Sequence, residues 1–248
     1  MSAHEYSGDF YSYIDVGSRR SARAVASLLI PEIKIGSLLD IGAGHGAWAA
    51  EWLAAGVKTV LAVDGDYVRA DQLAVPKKNF HAHDLATPLD LKKRFDLVQT
   101  LEVAEHLPHD KAELFVDNLV RHGDVILFSA AVPHQGGEHH VNEQPPEYWR
   151  KKFMGRGYQP FDFLRPRLAA RSEVMPWYRF NSYIYATEAG EKRLSEAVLS
   201  SRVPAGQALE IGGDMAWALR RAAVRLIPPA LVKPIAMAKA SVEARLRK

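Results

Sequence analysis

The chain contains no cysteine. A disulfide framework, a thiolate metal site and a cysteine nucleophile are therefore all excluded. No uncharged apolar run reaches the roughly 18 residues that a membrane-spanning helix needs. The first residues, Met1-Ser2-Ala3-His4-Glu5, carry neither the basic nor the apolar segment of a signal peptide. A cytoplasmic protein is the expectation. With 17 glycines and 14 prolines in 248 residues there is no low-complexity tract, and the 48% apolar content excludes disorder as the main state. Basic charge is also scarce where most of the chain lies. Of the net +3, residues 202–248 hold nine Lys and Arg against three Asp and Glu, which leaves residues 1–201 at −3. The main body thus lacks a broad basic face, which excludes DNA as a partner and argues against RNA.

What is present is a regular alternation. Short apolar runs at Ser37–Ile41, Thr59–Val63, Asn79–His83, Phe95–Thr100 and Asp124–Phe128 read as strands. Helical periodicity is expected at Gly46–Ala55, Asp66–Ala74 and Pro108–Arg121, the last through Ala112, Phe115, Val116 and Leu119. Such alternation predicts right-handed βαβ units on a parallel sheet. After Ser129 comes a long loop, then a helix opening at Pro146, strands at Gly157–Leu164 and Tyr178–Thr187, and a helix over Glu188–Ser200. The late strand pair predicts a Rossmann-like seven-stranded sheet, mostly parallel with its last strand inserted antiparallel, flanked by helices. The organisation expected is a helical cap (1–35), a cofactor-binding domain (36–200) and a basic C-terminal helical extension (201–248).

The strongest local signal is Asp40-Ile41-Gly42-Ala43-Gly44-His45-Gly46, a strand running into a glycine turn that opens a helix. Glycines suit a sharp turn that a ligand must approach without a Cβ in the way. Eighteen residues after Gly46 the second strand ends in Asp64-Gly65, where a carboxylate can accept from both hydroxyls of a ribose. The third ends in Asp84-Leu85, an acceptor for an adenine amino group beside an apolar residue to pack on the ring. Leu101, at the end of the fourth strand, joins the same crevice. A nicotinamide dinucleotide site is the rival, since Gly42-x-Gly44-x-x-Ala47 also fits that fingerprint.

On these residues, from about 20 to 187, the chain resembles the class I S-adenosylmethionine-dependent methyltransferases. The resemblance implies that Asp40, Gly42, Ala43, Gly44 and Gly46 hold the methionine part of the cofactor. It further implies that Asp64 and Gly65 hold the ribose, and Asp84 with Leu85 the adenine.

Past the fourth strand, Glu102-Val103-Ala104-Glu105-His106 would place Glu102, Glu105 and His106 on one face of a helical turn. Six of the ten histidines fall within residues 106–140. His140 and Glu143 lie in the loop after the fifth strand, over the same crevice. Glu102, Glu105, His106 and His140 make a candidate oxygen and nitrogen site for Mg²⁺, Mn²⁺ or Zn²⁺. Without metal, His106 or His140 would serve as general base, with Glu102 the third candidate catalytic group. The Glu-x-x-Glu-His element resembles ubiquinone-type O-methyltransferases and small-RNA 2′-O-methyltransferases, both of which add a later ligand. The later His and Glu of the RNA branch favour His140 over His139. The same element also occurs in methyltransferases where no metal is implied, and histidine-rich loops are often only solvated. Arg165, Arg167, Trp177, Tyr178 and Arg179 combine forks with rings that could bind a sugar, a carboxylate or a phosphate, or simply pack. The segment around Tyr148-Trp149 resembles a bacterial branch acting on sugars. Tyr11, Tyr13, Arg19 and Arg20 would close over the cofactor or cap the domain.

In the tail, Asp214–Ile227 is helical in pattern, and a second basic stretch runs from Pro234 to Lys248. Peripheral membrane contact, a homodimer or an ordinary surface helix all fit. The expected activity is O-methylation of a small polar acceptor such as a sugar or phosphosugar. The alternatives are a metal-dependent RNA 2′-O-methyltransferase and a non-catalytic cofactor-binding partner subunit.

Overall fold

A computed structural model describes residues 8–228, with side chains from residue 16 onward. Seven strands form one sheet: β1 (Ser37–Ile41), β2 (Thr59–Asp64), β3 (Phe80–Ala82), β4 (Leu97–Leu101), β5 (Val125–Ser129), β6 (Gln159–Phe161) and β7 (Tyr183–Ala186). Their order is β3-β2-β1-β4-β5-β7-β6. The pairs β1–β2, β1–β4, β2–β3 and β4–β5 are parallel, while β7 lies antiparallel to both β5 and β6. This is the Rossmann-like arrangement expected, with the last strand inserted antiparallel. Every residue of β4 and β5 is buried, as continuous apolar runs covered on both faces require.

Nine α-helices flank the sheet among the described residues: α1 (Gly8–Leu29), α2 (Ala47–Ala54), α3 (Ala112–His122), α4 (Pro146–Met154), α5 (Leu164–Leu168), α6 (Pro176–Asn181), α7 (Glu188–Glu191), α8 (Glu196–Leu199) and α9 (Met215–Arg225). One core cluster joins α1, α2, α5 and α6 to the sheet; the other joins α3 and α4 to its opposite face. Helix α1 is clamped to α2 by Glu51, which accepts from Arg23 Nε at 2.6 Å and from Arg19 Nη1 at 3.1 Å.

Several expected elements come out shorter, each for a local reason. Asp66–Ala74 holds only a 3₁₀ turn at Ala70–Gln72, because Ala74 N donates to His45 O at 2.7 Å and ties the segment to the glycine turn. The strand expected from Tyr178 begins at Tyr183, since Pro176 starts a helix first. The strand expected over Gly157–Leu164 is confined to Gln159–Phe161, with Pro160 tolerated because β6 is an edge. The helix over Glu188–Ser200 is two short ones, α7 capped by Thr187 and α8 by Ser195. Among the described residues, no helix is long and apolar enough to cross a membrane.

Candidate active site

The glycine turn has the conformation its composition demands. Gly42, Gly44 and Gly46 sit at φ of 82°, 54° and 83°, in the left-handed region. A Cβ on Gly42 would run into the Val103 isopropyl group, whereas one on Gly44 would meet only open space. The turn borders a cavity of about 150 Å³ lined by Asp40, Gly42, Ala43, Gly44 and Leu101, all expected. Ser18, His45, Ala47, Trp48, Gln99 and Tyr178 complete the lining, and none of them was among the expected S-adenosylmethionine contacts. Ser18 comes from α1 and Tyr178 from α6, and their hydroxyls lie 3.2 Å apart in the lining. Tyr178 therefore belongs to the cofactor side rather than to an acceptor-binding aromatic patch. Arg19 is held on Glu51, and the side chains of Tyr11 and Tyr13 lie outside the described ones.

Asp40 is buried, and its Oδ2 has no hydrogen-bond partner. Burial pushes its pKa up to about 7, against the pull of Gln99. An ammonium group is the natural complement to such an atom. Asp64, at the end of β2, is also buried, and desolvation raises its pKa. Its Oδ2 accepts from Gly44 N at 2.6 Å, and its Oδ1 from Gly65 N at 2.7 Å and from the Tyr67 hydroxyl. The Tyr67 hydroxyl thus occupies one of the accepting positions of this carboxylate. Asp84 is exposed and accepts from Ala86 N at 2.9 Å in a turn, outside the cavity lining, while Leu85 beside it is buried.

The second half of the site begins at Glu102, whose φ of 58° breaks the helical turn expected there. Four non-glycine residues among the described ones have positive φ, and three of them (Glu102, His134 and His139) are at this site. Glu102 stays near enough for its charge to act on Glu105 but supplies no atom to the cluster. Its oxygens accept from Gln135 Nε2 at 2.5 Å and from Asn181 Nδ2 at 3.3 Å. The cluster actually assembled is Glu105, His106 and His140, with one ligand atom from each within 4.8 Å of the others. His140 Nε2 lies 4.0 Å from Glu105 Oε1. The loop holds that position because Val141 N and Asn142 N both donate to Glu105 O, at 2.9 and 3.0 Å. His140 Nδ1 pairs with Glu143 Oε1 at 2.9 Å, and Glu143 itself accepts from His134 N and Gly136 N. Burial alone would raise the Glu143 pKa, but the His140 bond and the amides outweigh it and hold it low.

Glu105 is fully buried, and neither carboxylate oxygen has a hydrogen-bond partner. Desolvation, then the neighbouring Glu102 charge, drives its pKa well above the ordinary range. His106 is pushed the other way, down to about 3, by burial and by the His140 ring. Two of the remaining histidines of the segment lie away from the cluster. His122 is a core residue whose ring accepts from Leu91 N at 3.0 Å, and His109 packs on Tyr148. The arginines near the late strands are also engaged in structure. Arg165 is bound to Asp162 at 2.7 Å and covers the Tyr183 ring, and Arg167 covers Phe163.

A Rossmann-like sheet with a glycine turn, a strand-end carboxylate and a crevice at the carboxyl edge is an arrangement suited to an adenosine cofactor. Residues 13–128 match the model of the methyltransferase-domain family. This match to just under half of the chain, together with the sheet order, supports a class I S-adenosylmethionine-dependent methyltransferase. No curated protein matches the sequence significantly. Among solved structures, the fold is similar to the sugar N-methyltransferase KedS8 from Streptoalloteichus sp ATCC 53650. That match has a TM-score of 0.53 and 15% identity and covers 75% of this chain and 96% of that one. DesVI from Streptomyces venezuelae scores 0.44 at 16% identity, over 54% of this chain, which spans 62% of that protein's length. Magnesium protoporphyrin IX methyltransferase from Synechocystis PCC 6803, solved with bound cofactor, scores 0.46 at 16% identity, over 75% of this chain and 87% of that one.

Proposed function

We propose that the enzyme methylates an oxygen of a small polar acceptor such as a sugar, and that Glu105, His106 and His140 hold a divalent cation at the acceptor side. The observation that carries this reading is the buried Glu105 carboxylate, unpartnered and flanked by two imidazoles. Its donor set of one oxygen and two nitrogens fits Mn²⁺ or Zn²⁺ better than Mg²⁺, which prefers oxygen ligands. An imidazole with a pKa near 3 is a poor general base at neutral pH, yet a neutral imidazole is the form that ligates metals. With Glu143 accepting from His140 Nδ1, the Nε2 of a neutral ring would present the lone pair that a metal takes. A bound cation would supply the acidity that lowers the pKa of an acceptor hydroxyl.

The chain's own residues then have distinct tasks. Asp40 would bind the cofactor's ammonium group, Asp64 its ribose, and the glycine turn would let the backbone approach it. Val103 packs against Gly42 and precedes Glu105 by two residues, which supports an acceptor beside the transferable methyl group. Ser18 and Tyr178, whose hydroxyls meet in the cavity lining, would limit water beside the bound cofactor.

Calorimetric titration of metal-stripped protein with Mn²⁺, Zn²⁺ and Mg²⁺ tests the reading. We expect one site for Mn²⁺ or Zn²⁺ that Glu105→Ala removes while leaving S-adenosylhomocysteine affinity intact. Binding that survives in Glu105→Ala and His140→Ala would sink it.

A further inference from the structure

Three buried side-chain polar atoms of the residues lining the cofactor cavity have no hydrogen-bond partner. One is the acceptor Asp40 Oδ2, and the other two are donors, Trp48 Nε1 and Gln99 Nε2. The Gln99 amide is oriented by Trp52, whose Nε1 donates to Gln99 Oε1 at 2.8 Å, and Gln99 acts on the Asp40 carboxylate. Trp48 is 7% exposed and meets the Tyr178 ring edge-on, with centroids 4.9 Å apart. Ser18 and Tyr178 share one hydrogen bond, which uses one of their two hydroxyl protons and leaves the other to give. Burial raises the Tyr178 pKa, against the pull of the Ser18 hydroxyl and the Trp48 indole, so the phenol keeps its proton. An indole N–H and a hydroxyl proton are thus grouped beside one phenol oxygen, and both are neutral donors. Helix α2 begins in the same lining at Ala47, and no side chain caps it. Its first amides favour an anion. The lining contains no Lys or Arg. Arg19, which follows Ser18, and Arg23 are both drawn onto Glu51.

We propose that Trp48 Nε1, the Ser18–Tyr178 hydroxyl pair and the first turn of α2 receive the carboxylate of an amino-acid group whose ammonium is taken by Asp40. This rests on S-adenosylmethionine being the cofactor, since its methionine part ends in that group. A zwitterion matches an unpartnered carboxylate oxygen and a set of neutral donors in one cavity of about 150 Å³. The pyrophosphate of a dinucleotide would instead set two negative charges beside Asp40 with no cation in the lining to meet them. Neutral donors also suit a cavity that already holds a buried acid. The ligand's ammonium matches Asp40, and charge-assisted bonds hold its carboxylate without a second buried cation to desolvate. Trp48 thereby gains a binding task beyond its place in the core cluster. The donors come from α1, α2 and α6, so only the folded chain brings them together.

Calorimetry of the full chain with three ligands tests this. S-adenosylhomocysteine carries both charged groups, its decarboxylated form keeps only the ammonium, and methylthioadenosine has neither. We expect the native protein to bind S-adenosylhomocysteine at least about tenfold more tightly than the decarboxylated form. Trp48→Phe keeps an aromatic ring and loses the N–H. It should bind S-adenosylhomocysteine about tenfold more weakly and the decarboxylated form within about twofold of native. Tyr178→Phe should show the same split with a smaller loss, and it carries the test if Trp48→Phe does not fold. Asp40→Asn should weaken both amine-bearing ligands alike. Methylthioadenosine should bind native protein and variants equally, which reports an intact cavity. Equal losses for the two amine-bearing ligands in Trp48→Phe and Tyr178→Phe would leave these residues a packing role and overturn the proposal. Native protein that binds the decarboxylated form as tightly as S-adenosylhomocysteine would overturn it too. In both cases the cofactor assignment survives, whereas native protein that does not bind S-adenosylhomocysteine at all would overturn that assignment as well. None of these readouts depends on methyl transfer or on metal, so they stand apart from the test of the cation site.

Discussion

A buried carboxylate must be protonated, hydrogen-bonded or matched by a cation, and the two unsatisfied ones here make separate predictions. Asp40 has a folded-state pKa of about 7 in the cofactor-free protein. An ammonium group needs the ionised form, so acid competes with the cofactor. We expect S-adenosylhomocysteine affinity to fall by about tenfold for each pH unit below 7, and to lose that dependence in Asp40→Asn. Calorimetry between about pH 8 and pH 6 reads it, and a flat profile for the native enzyme would refute the role. Linkage has the opposite sense for the empty protein. The folded state keeps a proton that the unfolded chain releases, so the Asp40 contribution to stability falls as pH rises from the ordinary carboxylate range to about 7. Glu105 concerns stability and metal together. Glu105→Gln removes a buried, unpartnered acid, so metal-free protein should melt no lower than native and by as much as a few degrees higher. Added Mn²⁺ or Zn²⁺ should then raise the melting temperature of the native protein but not of the variant.

Among the elements, α1 depends on one buried carboxylate. Glu51 is 7% exposed and draws both Arg19 and Arg23 onto α2, which holds its pKa below the ordinary range. Glu51→Ala leaves two arginines without their acceptor and should cost roughly 1–2 kcal/mol, since the arginines themselves reach water. Urea unfolding measures this, and Ser18 on the same helix ties it to the cofactor cavity, so affinity should drop as well. None of this was visible in the sequence, where Arg19 and Arg20 were candidates to close over the cofactor. What could be read were features with a local cause. The strands of the parallel sheet are apolar runs, the glycine turn is a chain-local conformation, and Asp64 follows it at a fixed spacing. Features that arise from tertiary contact could not be read. The helix at Pro176–Asn181 puts Tyr178 into the cavity, though its alternation suggested a strand. Glu102 leaves the expected cluster because its backbone adopts a positive φ, which no spacing rule signals, and Gln135 and Asn181 take its carboxylate. His140 was legible because it lies three residues before Glu143, and that pairing is local.

At the scale of the molecule, the site is assembled from distant parts of the chain, and α9 closes the circuit. The cofactor cavity is lined by α1, the β1 turn, α2, β4 and α6, and no residue of α9 is in its lining. The acceptor loop does depend on it. Arg220 and Arg221 bond the carbonyls of Gln135 and Pro133, Gln135 holds Glu102, and Glu143 in the same loop orients His140. Removing α9 should therefore separate the two halves of the site. The double variant Arg220→Ala, Arg221→Ala keeps Trp217 and the helix but frees the two carbonyls. With the loop no longer held, acceptor positioning loosens, and a misplacement on the order of 1 Å costs roughly 10²-fold in rate. We expect turnover to fall on that scale while S-adenosylhomocysteine affinity stays within about twofold of native, since no contact to the cofactor cavity has changed. Equal losses in both quantities would mean that α9 stabilises the whole domain rather than the acceptor side. The predicted split follows from the connectivity, because the sheet edge that grips the cofactor is complete before residue 188, whereas the loop that faces the acceptor is fastened only when the chain returns at residues 214–225.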